Sequence, residues 1–213
     1  MLQKLRVKEG TGSAGDVARL LKEAQAVAKP KALYRVAYVD QRGEESVDVG
    51  GQTFKSRVLR VNLNPVHRIF PYVATCGTEL DAWSSSIDDM LDSYWADAIK
   101  EMALRVAMDA LADHLQQRFR PGRMSRMSPG SLEDWPIYEQ RKLFALLGDP
   151  EEAIGVRLTD SMIMVPLKSL SGIWFATEVD FTSCQLCSRE ACTGRRAPYD
   201  ETLYERKYRA AAD

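Results

Sequence analysis

Three cysteines fall within nine residues, Cys184-Gln-Leu-Cys187-Ser-Arg-Glu-Ala-Cys192, and Arg195 and Arg196 follow close behind. Thiolates are soft ligands, so C-x2-C-x4-C on one tight loop supplies three corners of a tetrahedral zinc site or of an iron–sulfur cluster. A fourth corner can come from Cys76, in Ala74-Thr75-Cys76-Gly77, or stay open to solvent or a small ligand. The two arginines would offset the negative charge of such a site and could dock an acidic partner.

A second concentration of chemistry lies upstream. Arg118, Arg120, Arg123 and Arg126 occupy nine residues, with one Pro-Gly pair among them, Pro121-Gly122, and a second soon after, Pro129-Gly130. A guanidinium fork clamps a carboxylate with two parallel hydrogen bonds, and Pro-Gly turns present backbone N–H groups beside it. Only two histidines are present, His67 and His114, so a histidine-based metal or acid–base centre is not expected. Trp83, Trp95, Trp135 and Trp174 read as core or interface anchors. No Gly-rich phosphate fingerprint, Ser-His-Asp set or H-E-x-x-H occurs.

These groups need elements to hold them. Val17, Leu20, Leu21, Ala24 and Val27 recur at helical spacing after Ser13, which predicts a helix to Ala28 ending before Lys29-Pro30. Leu33–Val39, Val47–Gly50, Phe54 and Val58–Leu63 read as short strands around Gly-Gly and Asn turns. From Ser86 to about Phe119 the chain runs without Gly or Pro behind a broad apolar face, predicting a long helix with Ser86 and Asp89 as its capping pair. Arg118–Asp134 shifts to Arg, Ser, Gly and Pro and reads as a surface loop. Leu143, Phe144, Leu146 and Leu147 then predict a helix over Glu139–Leu147, stopped by Gly148-Asp149-Pro150. Strands are expected at Ile154–Thr159, Met162–Pro166 and Gly172–Val179, and an amphipathic tail helix at Tyr199–Arg209.

Bulk properties narrow the class. A chain of 213 residues with 45% hydrophobic content is long enough to build a core of one large or two small domains. Its net charge of −1 and lack of a basic stripe argue against a nucleic-acid partner. MLQKLRVKEG lacks the apolar core of a secretory signal, and no apolar run reaches the ~20 residues that span a bilayer, so a cytoplasmic location is expected and no membrane partner.

Several local patterns carry a family resemblance. Leu143–Leu147 gives LF-x-LL, Ile154–Pro166 gives IGV-x-LT-D-S with a methionine-rich run, and Lys168–Phe175 gives KS-x-SG-x-x-F. Arg126–Gly130, RMSPG, matches an Arg-x-x-Pro-Gly-Tyr pattern with Ser131 in the tyrosine position. Together these resemble the activation domain of vitamin B12-dependent methionine synthase over roughly Ser86–Phe175. The front part, with FPYVATCGTEL at Phe70–Leu80, looks like that of small stand-alone relatives.

The resemblance implies an α+β fold, a curved antiparallel sheet with flanking helices. It implies three regions: an N-terminal α+β region over 1–85, an activation-domain-like core over 86–181, and a cysteine loop with a C-terminal helix over 182–213. It implies a stand-alone activator that binds S-adenosylmethionine during reductive remethylation of cob(II)alamin. The cobalamin would sit on a partner, a corrinoid-dependent methionine synthase or another corrinoid protein, and the methyl transfer would belong to the cobalt. Arg126 would meet the ligand's carboxylate, the Ser128 backbone its adenine side, Pro129 and Gly130 would shape the turn, and Asp109 would match an acidic residue of the family's long helix. For Cys184, Cys187, Cys192 and Cys76 the resemblance favours an iron–sulfur cluster over zinc, because cobalamin reactivation needs a one-electron donor. The alternative is an iron–sulfur or zinc module that supports electron transfer to a corrinoid protein without binding S-adenosylmethionine.

Overall fold

The computed structural model describes Val7, Gly10 and residues 12–179, 181–192 and 194–209. The segment MLQKLRVKEG therefore lies almost wholly outside the described residues, as does Thr193 of the cysteine loop. No helix among the described residues is long and apolar enough to cross a membrane.

The chain forms two compact units, each assembled from three stretches: 1–33, 73–114 and 150–170 in the first, 34–72, 115–149 and 171–213 in the second. These interleave the front, middle and tail of the sequence. In the first unit, α1 (Gly12–Val27) buries Val17, Leu20 and Ala24, positions that fall on one helical face. They pack with Cys76, with Leu80 of α3 (Thr78–Ser85), and with Trp95 and Ile99 of α4 (Met90–Phe119). The predicted long helix is thus present but starts later than its capping pair suggested. Ser86 ends α3, donating its hydroxyl to the Trp83 carbonyl, while Asp89 caps α4 by accepting from the Leu91 and Asp92 N–H groups at 2.9 Å each. The first unit also holds α6 (Pro150–Ile154), β7 (Arg157–Leu158) and β8 (Met164–Val165). Ile154 closes a helical turn rather than opening a strand, because Pro150 fits the first helical position and Glu151 and Glu152 suit the first turn.

Sheet formation uses β1 (Lys31–Tyr34), β2 (Ala37–Arg42), β3 (Ser46–Val49), β4 (Gln52–Lys55), β5 (Arg68–Thr75), β6 (Met124–Met127) and β9 (Ser169–Ala176). The order is β4-β3-β2-β5-β9-β6, with β1 also paired to β5. The β2–β3, β2–β5, β3–β4 and β6–β9 ladders are antiparallel, and the fold is the expected mixture of antiparallel sheet and helices. The strand predicted over Leu33–Val39 is broken into β1 and β2 at Arg35-Val36.

Two segments of the second unit depart from expectation. Val58–Leu63 is helical, α2 (Arg57–Asn62), although its β-branched residues suggested a strand. Ser56 is in extended conformation and its Oγ accepts from the Leu59 N–H at 2.9 Å, while Asp134 accepts from the Arg57 and Val58 N–H groups at 3.2 and 3.0 Å and from the Ser56 hydroxyl. Those acceptors satisfy the N–H groups a helix start leaves open, and tertiary packing of Val58 and Leu59 in the core overrides local propensity. The second departure is β6, which forms inside the stretch read as a loop.

The core of the second unit gathers Val47, Val49 and Phe54 from β3 and β4, Met127 of β6, Ile173 and Phe175 of β9, Trp135, and Leu143 and Leu146 of α5 (Gln140–Leu147). Tyr208, in a π-helical turn over Tyr204–Arg209, joins them, and the buried Asn62 holds it, its Oδ1 accepting from the Tyr208 hydroxyl at 3.1 Å and from Lys207 Nζ at 2.9 Å. The tail is therefore part of this core, although its helix is confined to the last turn. Removing the shared cap is expected to be costly: Asp134→Ala should lower stability by about 2 kcal/mol in urea unfolding, more than Ser56→Ala, since it strands three donors at once.

Candidate functional site

Strand β6 lies at the end of the sheet against β9, in a register that sets Arg126 opposite Trp174 and Met127 opposite Ile173. Alternation along β6 buries Ser125 and Met127 and leaves Arg126 half-buried on the other face. There the Arg126 guanidinium lies 5.4 Å from the centre of the Trp174 ring. A cation over an indole face in this range is held by about 0.5–2 kcal/mol. No carboxylate pairs with Arg126 among the described residues, so its hydrogen-bonding fork is not committed to an ion pair.

Immediately after β6 the chain turns. The Ser131 N–H donates to the Ser128 carbonyl at 3.2 Å, and Gly130 has φ +79°, so Ser128-Pro129-Gly130-Ser131 is a turn with proline and glycine at its two central positions. Gly130 also donates its N–H to the Trp135 carbonyl at 2.7 Å, which fixes the turn against the following segment. The structure therefore brings Arg126, Ser128, Pro129 and Gly130 together as one strand end and turn, as expected from RMSPG.

Two further residues complete this place, and neither was singled out from the sequence. Tyr72 of β5 is fully buried, with its ring 6.2 Å from that of Trp174. Its hydroxyl and the Trp174 Nε1 are both sealed from solvent and make no hydrogen bond. Burial pushes the Tyr72 phenol above its usual range, with Arg126 and Ser128 pulling it partway back, so the group is a neutral donor. Gly172 explains how these atoms come so close. A Cβ there would lie 2.4 Å from the Met127 carbonyl oxygen, 2.7 Å from Ser128 Oγ and 3.1 Å from Tyr72 Oη. The signal available in the sequence was alternation: Gly172 and Trp174 are two apart in a strand and share a face, beside the arginine of the facing strand.

Arginine, tyrosine and indole offer donors, and Ser128 adds a hydroxyl. Arg126, half-buried, is the donor that a ligand's acceptor oxygens could reach, while the sealed Tyr72 and Trp174 groups form the wall behind it. The aromatic residues that follow Ser131, Trp135 and Tyr138, do not take part in this cluster. Trp135 is fully buried against Phe54 at 6.0 Å, and Tyr138 is 59% exposed. Asp109 lies in the first unit, exposed on α4.

The cysteines are arranged differently from expectation. Among the described residues no three His, Cys, Asp or Glu side chains come together as a metal site. Cys76 belongs to the first unit, where it is buried and its N–H donates to the Lys168 carbonyl at 3.0 Å. Burial, reinforced by Asp81, pushes its thiol up to about 11, which keeps it protonated and a poor ligand. Cys184 and Cys187 are partly exposed and Cys192 is exposed. Arg195, expected to balance a cluster's charge, instead donates to backbone carbonyls of the loop: Cys184 and Cys187 at 3.2 Å, Ala197 at 3.3 Å, and Arg189. The residues as placed do not fit an iron–sulfur cluster or a zinc ion. For Cys184, burial works against ionisation, but the backbone N–H groups of Arg196 and Ala197 and the Arg196 charge outweigh it and hold the thiol below the usual cysteine range.

Residues 125–193 match the family model described as the vitamin B12 dependent methionine synthase, activation domain. Among solved structures, the chain is similar to the MetH reactivation domain bound to AdoHcy, with a TM-score of 0.63 and 16% identity over 83% of this chain and 70% of that one. At that identity the likeness is one of fold, and the fold is activation-domain-like. No curated protein matches the chain in sequence. The stretch matched by the family model begins at the residue before Arg126 and takes in the Pro-Gly turn, β9 and all three loop cysteines. Because Gly172 sits under this turn, Gly172→Ala is expected to destabilise the chain by about 1–3 kcal/mol, read as a lower urea midpoint. An unchanged midpoint would mean the close approach is not a constraint.

Proposed function

We propose that this chain acts as a stand-alone activator of a cobalamin-dependent methionine synthase or a related corrinoid methyltransferase, binding S-adenosylmethionine at the end of β6. The observation that carries the reading is Arg126, half-buried over Trp174 beside the Pro-Gly turn and without a carboxylate partner among the described residues. Arg126 would take the ligand's carboxylate in bidentate fashion. Tyr72, neutral because of its burial, and the Ser128 hydroxyl would keep the guanidinium and the turn in place beneath it. Trp174 holds the guanidinium plane from the side through its ring. Pro129 and Gly130 keep the turn rigid, so little conformational freedom is lost on binding. S-adenosylmethionine would supply an electrophilic methyl group, and the corrinoid that receives it belongs to the partner.

Both comparisons support this reading, one through a family model that covers the arginine and the turn, the other through a fold whose solved example holds AdoHcy. On this account the chain works in the cytoplasm, docked on its corrinoid partner, and the electron that reduces cob(II)alamin comes from a separate donor protein. The iron–sulfur or zinc module carried as the alternative finds no support in the placement of the cysteines.

Titration calorimetry of the full chain with S-adenosylmethionine tests the proposal. Saturable binding is expected, weakened at least about tenfold in Arg126→Ala, since a hydrogen bond to a charged group contributes roughly 1.5–3 kcal/mol. Tyr72→Phe, which keeps the ring, should weaken it less. Absence of saturable heat at millimolar ligand would sink the reading.

A further inference from the structure

Cys184 lies in the 3-10 turn Ser183–Leu186 and Cys187 closes it, the Cys187 N–H donating to the Cys184 carbonyl at 3.4 Å. In such a helix side chains three apart eclipse and the rise is about 2 Å per residue, so the two cysteines stand on one side with Cα atoms roughly 6 Å apart. That separation is within the range a disulfide spans. The turn is fixed at its start by Thr182, whose N–H donates to Gln185 Oε1 at 3.0 Å and whose carbonyl accepts from the Gln185 N–H at 3.0 Å. It is fixed from across the loop by Arg195, whose guanidinium binds the carbonyls of both Cys184 and Cys187.

The two sulfurs are not equivalent. The Arg196 N–H points at Cys184 Sγ, 3.4 Å away. A thiolate accepts such a bond better than a thiol, so this contact favours the nucleophilic form of Cys184. Cys187 has no such contact; it is partly buried against the core of the second unit and lines a cavity of about 590 Å³ together with Gly130 and Asp134. The loop thus presents one activated thiol and, three residues on, a second thiol in reach of it.

We propose that Cys184 and Cys187 form a dithiol–disulfide exchange site, with Cys184 the attacking sulfur and Cys187 the resolving one, acting on low-molecular-weight disulfides. The Cys184 thiolate attacks a disulfide RS–SR; an S–S bond forms between Cys184 and one RS sulfur, the RS–SR bond breaks, and RS⁻ forms. The departing RS⁻ takes the Cys187 proton and leaves as RSH; the Cys187 thiolate then attacks the Cys184 sulfur, forming the Cys184–Cys187 bond and releasing the second RS⁻. Two electrons pass from the protein to the disulfide, and a dithiol reverses the sequence. The exchange chemistry does not require S-adenosylmethionine.

The test uses the reduced full chain with oxidised glutathione, quenched with acid, alkylated and mapped by mass spectrometry. The expected product is one intramolecular disulfide joining Cys184 to Cys187, with Cys192 still alkylated. Cys187→Ser should stop at a glutathione adduct on Cys184, and Cys184→Ser should form a glutathione adduct on Cys187 at least about tenfold more slowly, since only the thiolate attacks. Circular dichroism of each variant controls for folding. Equal reaction of all three loop cysteines, a disulfide through Cys192, or zinc or iron bound stoichiometrically to the purified chain and shielding these thiols would overturn the proposal.

Discussion

The candidate site depends on how closely β6 can approach β9 and β5, and that approach depends on a missing side chain. Gly172 lets the Met127 carbonyl, the Ser128 hydroxyl and the Tyr72 phenol crowd over one backbone position where any Cβ would collide. Antiparallel pairing then fixes the register, and Arg126 faces Trp174 across the strands. Everything that could bind a ligand at this end of the sheet follows from those two facts. Charge alone does not define the place, since four arginines occupy the neighbouring stretch and only Arg126 gains an aromatic face and two buried donors.

The segment after the turn serves both structure and site. Asp134 caps α2 from a distance of more than seventy residues in sequence, and Trp135 fills the core against Phe54. The turn Ser128–Ser131 is thus held between a strand that begins it and a buried tryptophan that ends it, through the Gly130 N–H to the Trp135 carbonyl. The cysteine loop belongs to the same unit and is held by Arg195 through backbone carbonyls, which gives it a defined shape without a metal ligand set. Its thiols are then available for sulfur chemistry, a different use from the one their spacing first suggests.

Much of this was legible in the sequence where one local signal dominates. The long helix, the LF-x-LL helix and the Pro-Gly turn follow from periodicity and turn residues, and the antiparallel sheet from the family resemblance. The helix at Arg57–Asn62 was not legible, because its cap comes from Asp134, a tertiary contact that outweighs the β-branched residues. Strand β6 was hidden because an Arg- and Ser-rich stretch has little strand propensity of its own, and pairing with β9 supplies it. Trp174 was read as a core or interface anchor and Tyr72 was not singled out; that their polar atoms are sealed side by side appears only once the strands are paired. C-x2-C-x4-C spacing is compatible with several chemistries, and only the placement of Arg195 and Arg196 around the sulfurs separates them.

The central claim is that Arg126, Trp174 and Tyr72 act together as a binding place for S-adenosylmethionine. Its most direct test is a proton–nitrogen NMR titration of the full chain, following the Trp174 indole N–H and the Arg126 side-chain N–H, each assigned by substitution. The account predicts that both resonances move together and saturate as ligand is added, ahead of those of the other three tryptophans. If S-adenosylmethionine binds and both remain still, the ligand sits elsewhere and the account of the site is contradicted.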